Sequence, residues 1–128
     1  VLLVAVPVCL FVLSIPQASS ISHHYATAPQ ATPRLIQAGI ASFYAEPFHG
    51  RLTASGTVYD QWAMTAAHRW LPFGSVVEVF CAETCRVVRV TVTDRGPFIA
   101  GRIIDLSRAA AQRLGIEERG VAVVGVFQ

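Results

Sequence analysis

The run from Arg86 to Leu106 limits the fold most severely. Val88, Val90 and Val92 alternate with Arg89, Thr91 and Thr93, the two-residue period of a strand with one buried face. The strand leads directly into Asp94-Arg95-Gly96-Pro97-Phe98, where Gly96 and Pro97 force a turn. A second short apolar run, Arg102 to Ile104, then delivers Asp105. One carboxylate therefore stands at a strand end in a rigid turn, and another near the start of the next element. Two carboxylates on fixed backbone are the minimal equipment for glycoside chemistry or sugar binding. The same residues admit a structural reading, with Asp94 paired to Arg95 or Arg102 and Asp105 capping a helix.

Around this stretch the chain reads as short strands divided by turns. Strands are predicted at Gly39–Tyr44, Met64–Ala67, Ser75–Phe80, Arg86–Thr93, Arg102–Ile104 and Val121–Phe127. Asp105 or Ser107 can cap a helix over Arg108–Leu114, which Gly115 is placed to stop. Leu106, Ala110 and Leu114 would share its buried face. The aperiodic loop from Ala45 to Ser55 carries Glu46, Phe48, His49 and Arg51, a set able to line a binding face. With no long crossover helix, a doubly wound parallel sheet is not expected, and a small closed barrel would remove the exposed strand edges.

Residues 1–20 are expected to lie outside that domain. Val1 to Val12 is almost wholly apolar, and Ala18 and Ser20 give a small-x-small ending, as in a secretory signal peptide that lacks its basic start. The apolar run is short for a membrane span, so no stable insertion is expected after cleavage; a retained anchor is the alternative. Residues 21–34 read as a linker, and residues 35–128 as the folded domain. The net charge of +2 and the lack of a basic cluster interleaved with aromatics exclude nucleic-acid binding as the driving function. No metal-ligand spacing is found, and no cofactor is implied. Cys81 and Cys85 flank the predicted turn between two strands. They are expected to form a disulfide that pins the hairpin, the alternative being two free thiols.

Seven short motifs then point the same way. Ala41-Ser42-Phe43-Tyr44, Phe48-His49-Gly50-Arg51, Thr53-Ala54-Ser55-Gly56, Thr65-Ala66-Ala67-His68-Arg69, Leu71-Pro72-Phe73-Gly74, Asp94-Arg95-Gly96-Pro97-Phe98 and Arg102-Ile103-Ile104-Asp105-Leu106-Ser107 occur in this order. Together they resemble the RlpA-like double-psi beta-barrel family, which is related to the first domain of expansins and to barwin-like proteins. The resemblance covers about Gly39 to Phe127. It implies a mainly β fold, a six-stranded double-psi barrel with one or two short helices and an open groove.

It further implies an exported, cell-envelope protein, secreted or periplasmic, whose partner is the peptidoglycan glycan strand. Some members are lytic transglycosylases that cut strands lacking stem peptides and leave 1,6-anhydro-muramyl ends. In those enzymes the position of Asp94 carries the catalytic acid, that of His68 another functional groove residue, and that of Asp105 a second carboxylate; the alternatives are a His68 that satisfies turn backbone groups and an Asp105 with a structural role. Tyr44, Phe48, Tyr59 and Trp70 are candidates for sugar stacking. Glu46, His49, Thr57, Arg95 and Asp105 complete the expected substrate-binding set. One departure stands out: enzymatic members usually carry a glutamate directly after Thr-Ala-Ser-Gly, and this chain has Thr57. That substitution favours the alternative of an expansin-like binding or wall-loosening module. A monomer is expected.

Overall fold

The computed structural model describes residues 31–44 and 46–128. The signal-peptide reading of residues 1–20, and the linker reading up to residue 30, lie outside the described residues. Six strands follow: β1 (Leu35–Phe43), β2 (Thr65–His68), β3 (Val76–Cys81), β4 (Arg86–Asp94), β5 (Arg102–Leu106) and β6 (Val121–Phe127). Among the described residues one helix, α1 (Arg108–Leu114), lies between β5 and β6, and a single 3-10 turn spans Glu46–Phe48. The strands close into a barrel in the order β1-β5-β2-β4-β3-β6.

Hairpin pairing builds part of the barrel. β3 and β4 run antiparallel, with Val77 opposite Val90 and Val79 opposite Val88. The predicted alternation is met on both strands. Val77, Val79, Val88, Val90 and Val92 are buried, while Arg89 faces solvent. β6 joins β3 and β1 antiparallel and adds Ala122, Val124 and Val126 to the same core. Three seams remain: β1 pairs with β5 and β2 with β4 in parallel, and β2 pairs with β5 antiparallel. Parallel neighbours need long connections, here supplied by the loops that carry the sequence motifs.

Two strand boundaries differ from the sequence expectations by more than one residue. β1 begins at Leu35 rather than Gly39, because residues 35–38 continue the ladder with β6 on a largely exposed stretch that has no clear period. β5 continues through Leu106, since β1 and β2 bracket it on either side. Asp105 is therefore a strand residue, and Ser107 is the helix cap, accepting a hydrogen bond from the Ala110 amide. Gly115 ends α1 at φ 80°, in the left-handed region that glycine adopts without strain. Gly39 serves packing instead: a Cβ there would lie 2.7 Å from Ile103 Cγ2.

The hairpin turn corrects the disulfide expectation. The register sets Cys81 opposite Arg86. Cys81 therefore ends the strand proper with its side chain in the core, fully buried as a free thiol. Cys85 instead belongs to the turn, at φ 54°, with its sulfur 3.4 Å from the Ala82 carbonyl oxygen. Strand alternation turns Cys81 inward and leaves Cys85 on the exposed turn, so the Cys81–Cys85 bond is not formed.

Candidate active site

Asp94 occupies the last position of β4, where the parallel ladder with β2 slips by one residue and places Ala67 opposite Asp94. The half-buried carboxylate is held from three sides. Oδ1 accepts from the backbone amides of Ala54 and Arg95, both at 2.9 Å, and Oδ2 accepts from the Tyr44 hydroxyl at 2.9 Å. No arginine pairs with it among the described residues.

Tyr44 reaches this position because β1 ends at Phe43 and its own amide donates to the Leu106 carbonyl at 3.0 Å. Its ring packs against Tyr59, with centroids 5.0 Å apart, and against Phe48 at 5.6 Å. Burial first, and then the Asp94 carboxylate, push the phenol well above the usual tyrosine range. Tyr59 is itself buried and receives the Arg108 amide on its hydroxyl at 3.4 Å. Phe48 remains exposed, with the Arg51 guanidinium 5.6 Å above its ring.

The turn that supplies the Ala54 amide is tied to β4 by Ser55, whose amide donates to the Thr93 carbonyl at 3.2 Å. The hydroxyls of Thr53, Ser55 and Thr57 converge in a triangle of 2.9–3.0 Å edges. Thr57 thus sits in the turn that docks on Asp94, but it brings a neutral hydroxyl where the resemblance leads one to look for a carboxylate.

The other expected site residues are placed differently. His68 is fully buried. Its Nδ1 accepts from the amides of Trp70 (3.3 Å) and Leu71 (3.2 Å), and its Nε2 meets Gln37 Oε1 at 3.0 Å. Both ring nitrogens are used within the protein, which leaves none for a substrate. The cause is strand alternation at the end of β2, which turns the ring inward. Burial, reinforced by Arg95 and Arg69, holds its pKa below the ordinary histidine value.

Asp105 is likewise not offered to substrate. It is buried against Arg102, Nη2 to Oδ1 at 2.7 Å, and both groups contact the Ser42 hydroxyl. Arg95 turns its guanidinium away from Asp94, donating to the carbonyls of His68 (3.2 Å) and Leu71 (2.8 Å) and lying 3.8 Å over the Phe73 ring. Glu46 is exposed and makes its charged contact with Arg108 at 4.0 Å. His49 spends Nδ1 on the Gln61 amide at 3.1 Å, so it braces its loop.

Sequence reasoning missed Ala54, whose contribution is a backbone amide with no side-chain signal. It also missed the joint role of Ser42 and Arg102, although both lie within motifs recognised in the sequence. Among the described residues no group of three or more His, Cys, Asp or Glu converges as a metal site would require.

Known proteins share this arrangement of sequence and fold. A family model described as lytic transglycolase matches residues 36–126. The chain is 44% identical over 115 residues to a probable endolytic peptidoglycan transglycosylase RlpA of Synechocystis sp., covering 90% of this chain and 36% of that protein. It is 48% identical over 90 residues to the endolytic peptidoglycan transglycosylase RlpA of Vibrio cholerae, covering 70% of this chain and 34% of that protein. The chain thus spans about a third of the length of these relatives. Among solved structures, the Streptomyces papain inhibitor superposes with a TM-score of 0.55 at 25% identity, covering 79% of this chain and 98% of that one. An expansin of Clavibacter michiganensis, solved with cellohexaose, superposes with a TM-score of 0.55 at 19% identity, covering 70% of this chain and 48% of that one. A closed six-stranded barrel with two parallel seams, matched by a family model along nearly its whole length, leads to one assignment: the chain belongs to the lytic transglycolase family, built on the RlpA-like double-psi beta-barrel.

Proposed function

We propose that this domain is a peptidoglycan lytic transglycosylase, exported to the cell envelope, that cuts glycan strands lacking stem peptides and leaves 1,6-anhydro-muramyl ends. The observation that carries this reading is the state of Asp94. Its carboxylate is half-exposed, fixed by three hydrogen bonds and free of any arginine partner among the described residues. A group so placed is oriented and keeps one Oδ2 lone pair open, the position through which it would exchange a proton with a bound sugar linkage.

In this mechanism the Asp94 carboxyl gives its proton to the glycosidic oxygen as the bond from that oxygen to C1 breaks. The bond's electron pair leaves with the oxygen, which departs as a hydroxyl. The resulting carboxylate takes the proton of the muramic C6 hydroxyl, and that oxygen bonds to C1. Asp94 ends protonated, as it began, and no water is consumed. One carboxyl serves as acid and then base, so the two-carboxylate spacing of glycoside hydrolysis does not apply.

Product analysis on peptidoglycan stripped of stem peptides tests this. The chain is expected to release anhydro-ended fragments, and Asp94→Asn to bind the glycan without releasing them. Equal yields from both would reject the assignment. Thr57 favours a second reading, a barrel that binds glycan and loosens its packing without cleavage; sedimentation with the polymer and no products from the unsubstituted chain would establish it.

A further inference from the structure

Counting lone pairs on Asp94 narrows the chemistry further. An ionised carboxylate offers about four acceptor positions, two on each oxygen. Oδ1 spends both on the Ala54 and Arg95 amides. Oδ2 spends one on Tyr44, and among the described residues nothing takes the other. The backbone amides cannot move without shifting β4 and the 53–57 turn, whose Ser55 amide is bonded to Thr93. Fixed backbone therefore holds the Oδ1 end of the carboxyl group, and one side chain holds the Oδ2 end.

We infer that Tyr44 is the positioning residue of Asp94: its hydroxyl completes the hold on the carboxyl group and occupies one lone pair of Oδ2, so that only the other faces the glycan and carries the proton in both steps. This rests on the transglycosylase reading. It replaces the stacking role that the sequence alone assigns to Tyr44. The ring is already packed against Tyr59 and Phe48, and its polar end is spent on Asp94. The phenol acts as a donor throughout and does not itself exchange its proton with substrate. The charged and titratable groups facing it support this. Asp94 from β4 and Asp105 from β5 both disfavour a phenolate, as does Tyr59, and Asp105 is already neutralised by Arg102.

Two measurements on the full chain test the inference. Tyr44→Phe keeps the ring and deletes the hydrogen bond. Losing a hydrogen bond to a charged group that acts on the reacting atoms is expected to lower kcat about 10- to 100-fold, with KM within about twofold of the parent. An unchanged kcat, or a raised KM with kcat intact, would overturn it, the latter meaning a sugar contact. The second measurement needs no activity: proton NMR of the tyrosine hydroxyls with and without Asp94→Ala. A phenol proton held on a carboxylate is expected to be shifted downfield and slow to exchange in the parent, and to be lost in the variant. Identical hydroxyl spectra would overturn the pairing. Failure of the unsubstituted chain to form anhydro ends would reject the transglycosylase reading and the positioning role with it, while the spectra would still decide whether Tyr44 and Asp94 are paired.

Discussion

Arg95 joins His68 to Asp94. The residue that follows Asp94 in the chain donates from one guanidinium nitrogen to the His68 carbonyl at 3.2 Å, and the imidazole of that same histidine anchors the amides of Trp70 and Leu71. The histidine supports the turn that carries the carboxylate without reaching the carboxylate itself.

A pH-dependent stability follows. His68 has its pKa depressed in the folded chain from an ordinary value of 6.5 by burial and by Arg95 and Arg69. The unfolded chain then binds the proton more readily, so the contribution of His68 is complete above that ordinary value and is lost as pH falls below it toward the folded pKa. Thermal unfolding followed from neutral to mildly acidic pH is expected to show a falling midpoint. His68→Gln should lack that component and be less stable at neutral pH by about 1–3 kcal/mol, the cost of stranding buried amides.

The Arg102–Asp105 pair gives a stability prediction separate from chemistry. Both side chains are largely buried, and Ser42 joins them. Asp105→Asn would leave the Arg102 charge without its partner, at a cost of about 3 kcal/mol, read as a lower denaturant midpoint. Replacing Arg102 and Asp105 together with apolar residues should recover part of that loss. If Asp105→Asn abolished product formation while leaving the midpoint unchanged, Asp105 would belong to the reaction after all.

The barrel was legible in the sequence because its hairpin strands alternate cleanly: Val77, Val79, Val88, Val90 and Val92 mark one face with period two. Leu35–Ala38 was not, because its exposed ends and half-buried middle write no two-residue pattern. In the site, Asp94 was legible as a carboxylate at a strand end before a rigid turn. The inward turning of His68 and Asp105 was not, because strand register decides it, and register in parallel seams is set by long-range closure of the barrel. Whether a histidine near a groove faces solvent or backbone amides is a matter of one residue's slip.

Cys81 shows the same limit and is open to direct test. Its thiol lies in the core among Val79, Val88 and their neighbours. It should resist alkylation in the native state and react once the chain is unfolded. Cys81→Ser would bury a hydroxyl in that apolar surrounding and is expected to cost about 1–3 kcal/mol, measured by denaturant unfolding. Rapid native-state labelling of Cys81 would contradict its placement.

Thr57 is the position where the chain departs from the enzymes it resembles, and the structure says what restoring the carboxylate should do. Its hydroxyl lies 2.9 Å from Thr53 Oγ1 and 3.0 Å from Ser55 Oγ, in the turn whose Ala54 amide grips Asp94. Thr57 is exposed, so a longer side chain can leave the hydroxyl triangle without a clash in the core. Thr57→Glu would bring a carboxylate into the turn that holds Asp94, where under the proposed mechanism it can stabilise the positive charge that develops at C1. That carboxylate is expected to raise the rate of anhydro-end formation by about tenfold or more, measured as initial release from stripped peptidoglycan, with the unfolding midpoint unchanged. A folded variant with no gain would mean that Asp94 and Tyr44 already supply all the charge control this barrel uses. Activity appearing only in the variant would instead identify the parent chain as a glycan binder.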